Sequence, residues 1–181
     1  AAEIARRREV LIHIFQQGRP VISRHQMDQL EDYHIPYFRP MFQRYSLQVE
    51  DALDHCLGLP KPSIEKINLY HHSTQERTVT RTLLAHLPLE LVDSEQTSLE
   101  LSAAQVDKGR GLRELCAHLD VPVEATIAVG DSFNDAAILQ AAGLAVGMGN
   151  AAEPVRQLCD VIVADCDHDG VAEAIRRCLL A

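Results

Sequence analysis

Apolar runs and polar turns alternate in the second half of the chain in the pattern of a parallel sheet. The apolar run 126–129 stops at Gly130. The helix-forming run 136–142 stops at Gly143, and another apolar run covers 144–146. This order predicts a strand, a polar turn, a helix and a second strand, which together make one βαβ unit. Because ligands bind past the carboxyl ends of such strands, we expect a site in the turn after Gly130.

The same alternation continues on both sides of this unit. Four apolar side chains are spaced i, i+3, i+4 and i+7, namely Leu112, Leu115, Cys116 and Leu119. This spacing predicts a helix over 109–118. Further along, the pattern predicts a short helix over 151–158, a buried strand over 161–164 and a final helix over 170–180. The second half of the chain is therefore predicted to be an α/β layer built on a parallel sheet.

The first half has a less regular pattern, which predicts an α+β layer. Apolar residues fall near one helical face over residues 1–17, so this stretch is predicted to be a helix that ends at Gly18. The other predicted elements are helices over 48–57 and 74–87 and strands over 64–70, 89–92 and 98–101. Residues 21–45 receive no assignment. The change of pattern places a domain boundary near residue 104, giving domains 1–104 and 105–181.

The turn after Gly130 carries a cluster of oxygen-bearing side chains: Asp131, Ser132, Asn134 and Asp135. Mg²⁺ prefers oxygen ligands and is usually held by one or two carboxylates together with water and substrate phosphate. Asp131 follows the strand directly and is the better candidate for direct ligation. Asp135 lies in the first helical turn and could act directly or through a water molecule.

A structural role for Asp135 competes with this interpretation. Ser132 and Asp135 are spaced like a helix N-cap and its third residue, which forms a capping box with Asp in place of Glu. An acidic side chain in the first turn also suits the helix dipole. For Asp135 alone the two roles stay open. Capping does not require Asp131 or Asn134, so the whole cluster favours a site.

These residues carry a family resemblance. The segment 130–135 resembles the GDxxND motif of the haloacid dehalogenase superfamily, in its Cof-type, class IIB phosphatase branch. Segment 107–112 resembles the branch's SKGxAL motif with Asp for Ser and Gly for Ala. Segment 145–151 resembles its VAMGNA turn, and 169–172 resembles its closing DGVA. The four motifs occur in the order and at the spacing typical of the family.

The resemblance implies a fold and an activity. Residues 105–181 would form the C-terminal half of a Rossmann-like parallel core, and residues 1–104 would form an α+β cap domain that selects the substrate. The implied reaction is Mg²⁺-dependent hydrolysis of a small phosphorylated metabolite, such as a sugar phosphate or a phosphorylated cofactor, through an aspartyl-phosphate. Alternatives are a phosphomutase or phosphotransferase of the same family, or a non-catalytic fragment that binds only phosphate or a partner.

The resemblance also implies roles for individual residues. Asp131 and Asp135 would belong to the metal site, and Asn134 would contact the phosphate. Gly130 and Ser132 would support the loop that carries these side chains. These roles extend the expectation, drawn above from the residues alone, that the turn after the strand binds a divalent cation.

Lys108 is the remaining candidate catalytic residue. It lies just before a predicted helix N-terminus, where peptide N–H groups and the helix dipole favour anions. A lysine there provides a compact positive charge for a phosphoryl group, whereas the competing interpretation is an ordinary surface lysine. The resemblance favours phosphate binding and implies that Lys108 neutralises the nucleophile and the phosphoryl oxygens.

The superfamily's nucleophile motif, DxDGT after an apolar strand, has no credible copy in residues 1–181. Because the family layout places that motif ahead of the cap, we interpret the sequence as a fragment of a longer phosphatase. The 181 residues alone are therefore predicted to be inactive. A half core also exposes an apolar sheet edge, which predicts self-association or association with the missing N-terminal part.

Composition and charge narrow the function classes. A hydrophobic content of 46% and a charged content of 24% are typical of globular chains, and a net charge of -9 argues against a nucleic-acid partner. No apolar run reaches the ~20 residues of a membrane span, so no membrane partner is expected. The 5 scattered cysteines do not suggest a disulfide framework, and a reducing cytoplasm is the expected location.

Overall fold

The computed structural model describes residues 2–59 and 63–180. The chain divides into two compact units, residues 1–104 and residues 105–181. Each unit has its own sheet, with six strands in the first and three in the second among the residues described. Within those residues, no helix combines the length and the apolar character that a bilayer crossing requires.

The first unit is built on a mixed sheet whose strands run in the order β3-β2-β1-β4-β6-β5. The strands are β1 (Leu11–Gln16), β2 (Arg19–Ser23), β3 (Leu47–Val49), β4 (Ile64–Tyr70), β5 (Leu89–Asp93) and β6 (Ser98–Ala103). Strand β2 pairs with β3 in parallel, and the other neighbours are antiparallel. The helices are α1 (Ala2–Arg7), α2 (Arg39–Tyr45), α3 (Ala52–Leu57) and α4 (Thr74–Leu84), with 3₁₀ turns at Arg24–Asp28 and Pro36–Phe38.

The helix predicted over residues 1–17 is wrong. Only α1 is helical, and β1 and β2 follow as an antiparallel hairpin in which Ile14 faces Val21. The turn between them consists of Gln17 and Gly18, with φ of 54° and 70°, the backbone of a two-residue hairpin turn. The apolar spacing fits a strand as well as a helix, and pairing of β1 with both β2 and β4 decides between them.

Most other elements predicted in the first unit are confirmed. Strand β4 has the expected bounds, and β5, β6 and α4 end within three residues of theirs. Helix α3 starts later than expected because Leu47–Val49 form a strand that pairs with β2. Asp51 then caps the helix by accepting a hydrogen bond of 2.7 Å from the backbone N–H of Asp54. The apolar side chains of β1 and β4 pack against α3 on one side of the strand pair.

The second unit has the predicted parallel alternation. Its elements are α5 (Lys108–Leu119), β7 (Ile127–Gly130), α6 (Ala136–Ala141), β8 (Leu144–Gly147), α7 (Glu153–Arg156), β9 (Val161–Ile162) and α8 (Gly170–Ala174), which continues as a π-helical turn at Ile175–Leu179. The strand order is β7-β8-β9, and all pairs are parallel. Small apolar side chains, such as buried Ala128 and Ala145, allow α6 to pack closely on β7 and β8.

The hairpin turn gives a test of this fold. A Cβ atom at residue 18 would have no neighbour within 4 Å, so Gly18→Ala should cost only the strain of an alanine at positive φ. We expect the free energy of unfolding to fall by about 1 kcal/mol. Gly18→Asn is the control, since asparagine tolerates this conformation and should lose much less. Urea unfolding followed by circular dichroism measures both, and equal losses would contradict the turn geometry.

Candidate active site

The predicted polar turn lies at the carboxyl end of β7, as expected for a parallel sheet. Asp131 follows the strand directly, and residues Phe133–Asp135 form a 3₁₀ turn that leads into α6. The residue after β8, Met148, donates its backbone N–H to the carbonyl of Gly130 at 3.0 Å. The loops after these two neighbouring strands therefore begin side by side.

The carboxylate of Asp135 folds back over the start of this loop. Its Oδ2 accepts bonds from the backbone N–H groups of Asp131 (3.0 Å) and Ser132 (3.3 Å). With the Ser132 side chain, it completes a capping box, so the capping role considered above is present. A Cβ atom on Gly130 would lie 2.6 Å from the Cβ of Asp135, so only glycine leaves room for the Asp135 side chain to fold over the start of the loop.

Lys108 reaches the other oxygen of the same carboxylate. Its Nζ lies 2.5 Å from Asp135 Oδ1, and the lysine side chain is 49% exposed while that of Asp135 is 12% exposed. Lys108 begins α5, which Asp107 caps by accepting a 2.7 Å bond from the backbone N–H of Arg110. Asp107 stands where the family motif has serine, and both residue types can cap a helix with a side-chain oxygen.

Close contact between α5 and α6 brings the lysine to the aspartate. A Cβ atom on Gly109 would lie 2.3 Å from the carbonyl oxygen of Ala137, so a side chain there would push the two helices apart. The glycine beside Lys108 in the sequence is therefore part of the geometry of the ion pair. Such a close approach of two backbones is a common reason for glycine at a helix contact.

The pKa of Asp135 reflects two opposing effects. Burial raises the pKa of this carboxyl group, but the bond from Lys108 and the backbone N–H groups of Asp131 and Ser132 outweigh burial and hold the pKa below its ordinary value. Asp135 is therefore a carboxylate at neutral pH. Three donors already engage its two oxygens, which leaves Asp135 a mainly internal partner of the loop and of Lys108.

Asp131 has a different environment from Asp135. It is exposed, and its Oδ2 accepts a 3.0 Å bond from the side-chain Nδ2 of Asn150. Asn134 lies half-buried in the same turn. The structure thus gathers the predicted site residues around one loop, but the carboxylates of Asp131 and Asp135 have separate partners. Among the described residues, no group of three His, Cys, Asp or Glu side chains forms a ready-made metal cage.

Asn150 is a site residue that the sequence pattern alone does not single out. It lies in the turn 148–150 after β8, within the segment that resembles the VAMGNA turn. Its side chain is the direct partner of Asp131, 19 residues away in the chain. The only available signal was its position in that motif, because residue type and local spacing do not predict which strand-end loops meet.

Comparison with known proteins identifies the family. Residues 8–175 match the family of haloacid dehalogenase-like hydrolases, and the chain belongs to that family. It is 42% identical over 91 residues to phosphatase YwpJ of Bacillus subtilis, covering 50% of this chain and 32% of that protein. It is 33% identical over 138 residues to a phosphoglycolate phosphatase of Methanothermobacter thermautotrophicus, covering 72% of this chain and 61% of the relative.

Solved structures have the same fold. A haloacid dehalogenase-like hydrolase from B. subtilis matches with a TM-score of 0.84 at 23% identity, and the match covers 98% of this chain and 68% of the B. subtilis chain. The subclass IIB sugar phosphatase BT4131 matches with a TM-score of 0.75 at 18% identity, and the match covers 97% of this chain and 63% of BT4131. These similarities confirm the predicted fold class. The chain spans roughly a third of YwpJ and under two thirds of BT4131.

The ion pair predicts a pH-dependent contribution to stability. Lys108→Met keeps the side-chain stem and removes the ammonium, so at pH 7 the free energy of unfolding should fall by roughly 1–2 kcal/mol, allowing for the exposure of the lysine. Because the pKa of folded Asp135 lies below its ordinary 3.8, this stabilisation is present above that pH and is lost as the pH falls through the folded-state pKa.

Urea unfolding at pH 7 and near pH 3 measures the effect. The difference between wild type and Lys108→Met should be largest at pH 7 and smaller at the lower pH. Arg113→Met is the matched control, because Arg113 is exposed on the same helix and its removal should change stability by less than about 0.5 kcal/mol. Equal losses for the two variants would contradict the role given to the Lys108–Asp135 pair.

Proposed function

We propose that this chain belongs to a Mg²⁺-dependent phosphomonoesterase that acts on a small phosphorylated metabolite. The observation that carries the proposal is the Lys108–Asp135 ion pair, which lies beside the exposed Asp131 at the carboxyl end of a parallel strand. This arrangement puts a fixed positive charge and an accessible carboxylate where such folds bind ligands. Membership of the hydrolase family supports the reaction class.

Lys108 is suited to a phosphoryl group by its position. One of its bonds goes to Asp135, and half of its side chain is exposed, so its ammonium can donate further bonds outwards. It also begins a helix of 12 residues, whose N-terminal dipole favours an anion. In the proposed reaction Lys108 binds phosphoryl oxygens and offsets the negative charge that builds up as the phosphoester bond breaks.

The donor set fits Mg²⁺ better than a softer metal. Asp131 offers an exposed carboxylate, and Mg²⁺ commonly keeps several waters while bound to one or two carboxylates and the substrate phosphate. When bound, the ion would supply Lewis-acid charge to the phosphate. We propose that Asp131 holds it directly, that Asp135 orients the loop and Lys108, and that Asn134 contacts the phosphate from the same turn.

The attacking carboxylate of this proposal lies outside residues 1–181. Among the described residues, strand β7 lies at one edge of its sheet and pairs with β8 alone. The second unit also exposes large apolar side chains, namely Leu115, Leu119, Val171, Ile175 and Leu179. A further core segment pairing with β7 and covering these side chains would bring its own strand end next to Asp131. The greater length of the solved relatives supports such a segment.

The relatives and the charge of the chain support a substrate class. One relative is a phosphoglycolate phosphatase, and another from B. subtilis is a 5-amino-6-(5-phospho-D-ribitylamino)uracil phosphatase, 37% identical over 102 residues. Both names describe small phosphate esters. We propose a substrate of that size for this protein, with residues 1–104 acting as the cap that selects it. The net charge of -9 disfavours a nucleic-acid substrate, because such substrates are themselves negatively charged.

Metal binding tests the role of Asp131. Asp131→Asn should weaken Mg²⁺ binding by at least about tenfold in isothermal titration calorimetry, because a neutral amide replaces the charged ligand. Asp120→Asn is the matched control. It removes the same charge at the far end of α5, roughly 18 Å along the helix, at a left-handed position that asparagine accepts. Equal Mg²⁺ affinity in wild type and Asp131→Asn would remove Asp131 from the metal site.

Hydrolysis of p-nitrophenyl phosphate tests where the nucleophile lies. Residues 1–181, purified and verified by intact mass, should give no turnover with Mg²⁺ above that of the Asp131→Asn variant prepared in parallel. The reason is that Lys108 and Asp131 provide charge but no attacking group. Turnover by the wild-type chain that disappears in Asp131→Asn would show that a nucleophile is present within these residues, contrary to the proposal.

A further inference from the structure

Asn150 connects the loops that follow the three strands described in the second unit. Its Nδ2 donates to Asp131 Oδ2 at 3.0 Å, in the loop after β7. Its Oδ1 accepts a bond of 3.0 Å from the backbone N–H of Cys166, in the segment after β9. Asn150 itself belongs to the turn after β8. One amide side chain therefore bridges three loops at the carboxyl edge of the sheet.

The two partners fix the orientation of this amide. A carboxylate only accepts hydrogen bonds, and a backbone N–H only donates them, so the nitrogen of Asn150 must face Asp131 and its oxygen must face Cys166. The amide of asparagine offers both groups. An aspartate would lose the donor, and an alanine would lose both bonds. The two bonds thus match the donor and the acceptor of an asparagine amide.

Backbone bonds hold the turn of Asn150 rigidly between the ends of β7 and β9. Met148 donates its N–H to Gly130 at 3.0 Å, and Gly149 donates to Ala164 at 3.2 Å. A Cβ atom on Gly149 would lie 2.9 Å from the backbone nitrogen of Asp165, so only glycine allows this close approach. Asn150 is therefore presented to Asp131 by a frame that does not depend on Asp131 itself.

We propose that Asn150 is a positioning residue that fixes the carboxylate of Asp131 for a divalent cation. The inference rests on the proposed function, in which Asp131 holds the ion. Asp131 is exposed, and without a partner its side chain would exchange among rotamers in solvent. Asn150 occupies Oδ2 and selects one orientation, so the ion meets a carboxylate that is already placed. Hydrogen-bond partners of this kind tune metal affinity.

Titration with Mn²⁺, followed through the electron paramagnetic resonance signal of the free ion, tests the proposal without an activity assay. Mn²⁺ prefers the same oxygen ligands as Mg²⁺. Asn150→Ala should bind Mn²⁺ about tenfold more weakly than wild type. Gln157→Ala is the matched control, since it removes an exposed amide from the residue that follows α7 in the same unit and should leave the affinity unchanged. Thermal unfolding by circular dichroism confirms that both variants fold.

The double variant Asp131→Asn/Asn150→Ala separates positioning from a general structural effect. If Asn150 acts through Asp131, the double variant should bind Mn²⁺ no more weakly than Asp131→Asn alone. If Asn150→Ala binds Mn²⁺ with wild-type affinity while Asp131→Asn binds it more weakly, the inference about Asn150 is overturned and the proposed metal site at Asp131 is retained. A loss on Asn150→Ala that persists undiminished in the Asp131→Asn background would also overturn it. Unchanged affinity in Asp131→Asn would overturn the proposed function as well.

Discussion

The site of the second unit depends on the interactions of one buried group, the carboxylate of Asp135. Burying a charge is costly unless it is paired and hydrogen-bonded, and Asp135 meets this requirement with the ammonium of Lys108 and two backbone N–H groups of its own loop. The same requirement fixes the geometry. It places Lys108 over the loop, closes the loop against the end of β7 and sets the start of α6.

Missing side chains are as important to this geometry as the charged ones. Gly109 lets α5 approach α6, Gly130 leaves room for the carboxylate of Asp135, and Gly149 brings the loop after β8 against the segment after β9. In each case a Cβ atom would lie within 3.0 Å of a neighbouring atom. The site is therefore assembled by close backbone contacts, which place polar groups with little freedom of movement.

Two aspartates four residues apart have different environments, and these suit different tasks. Asp135 is enclosed and fully engaged, which suits a group that orients others. Asp131 is exposed and held at one oxygen by Asn150, which suits a group that meets a ligand. This division suits the proposed reaction, because phosphoryl transfer relies mainly on positioning and on offsetting negative charge.

The sequence by itself determined the elements with strong local patterns. These are the parallel βαβ order of the second unit, strands β4 to β6 and the capping box of Ser132 and Asp135, because each depends on residues a few positions apart. Tertiary structure decided the rest. The apolar spacing before Gly18 suits a helix or a strand, and pairing with the distant β4 made it a strand. Contacts across 27 residues (Lys108 to Asp135) and 19 residues (Asn150 to Asp131) depend on how helices and strand ends pack, which no local periodicity encodes.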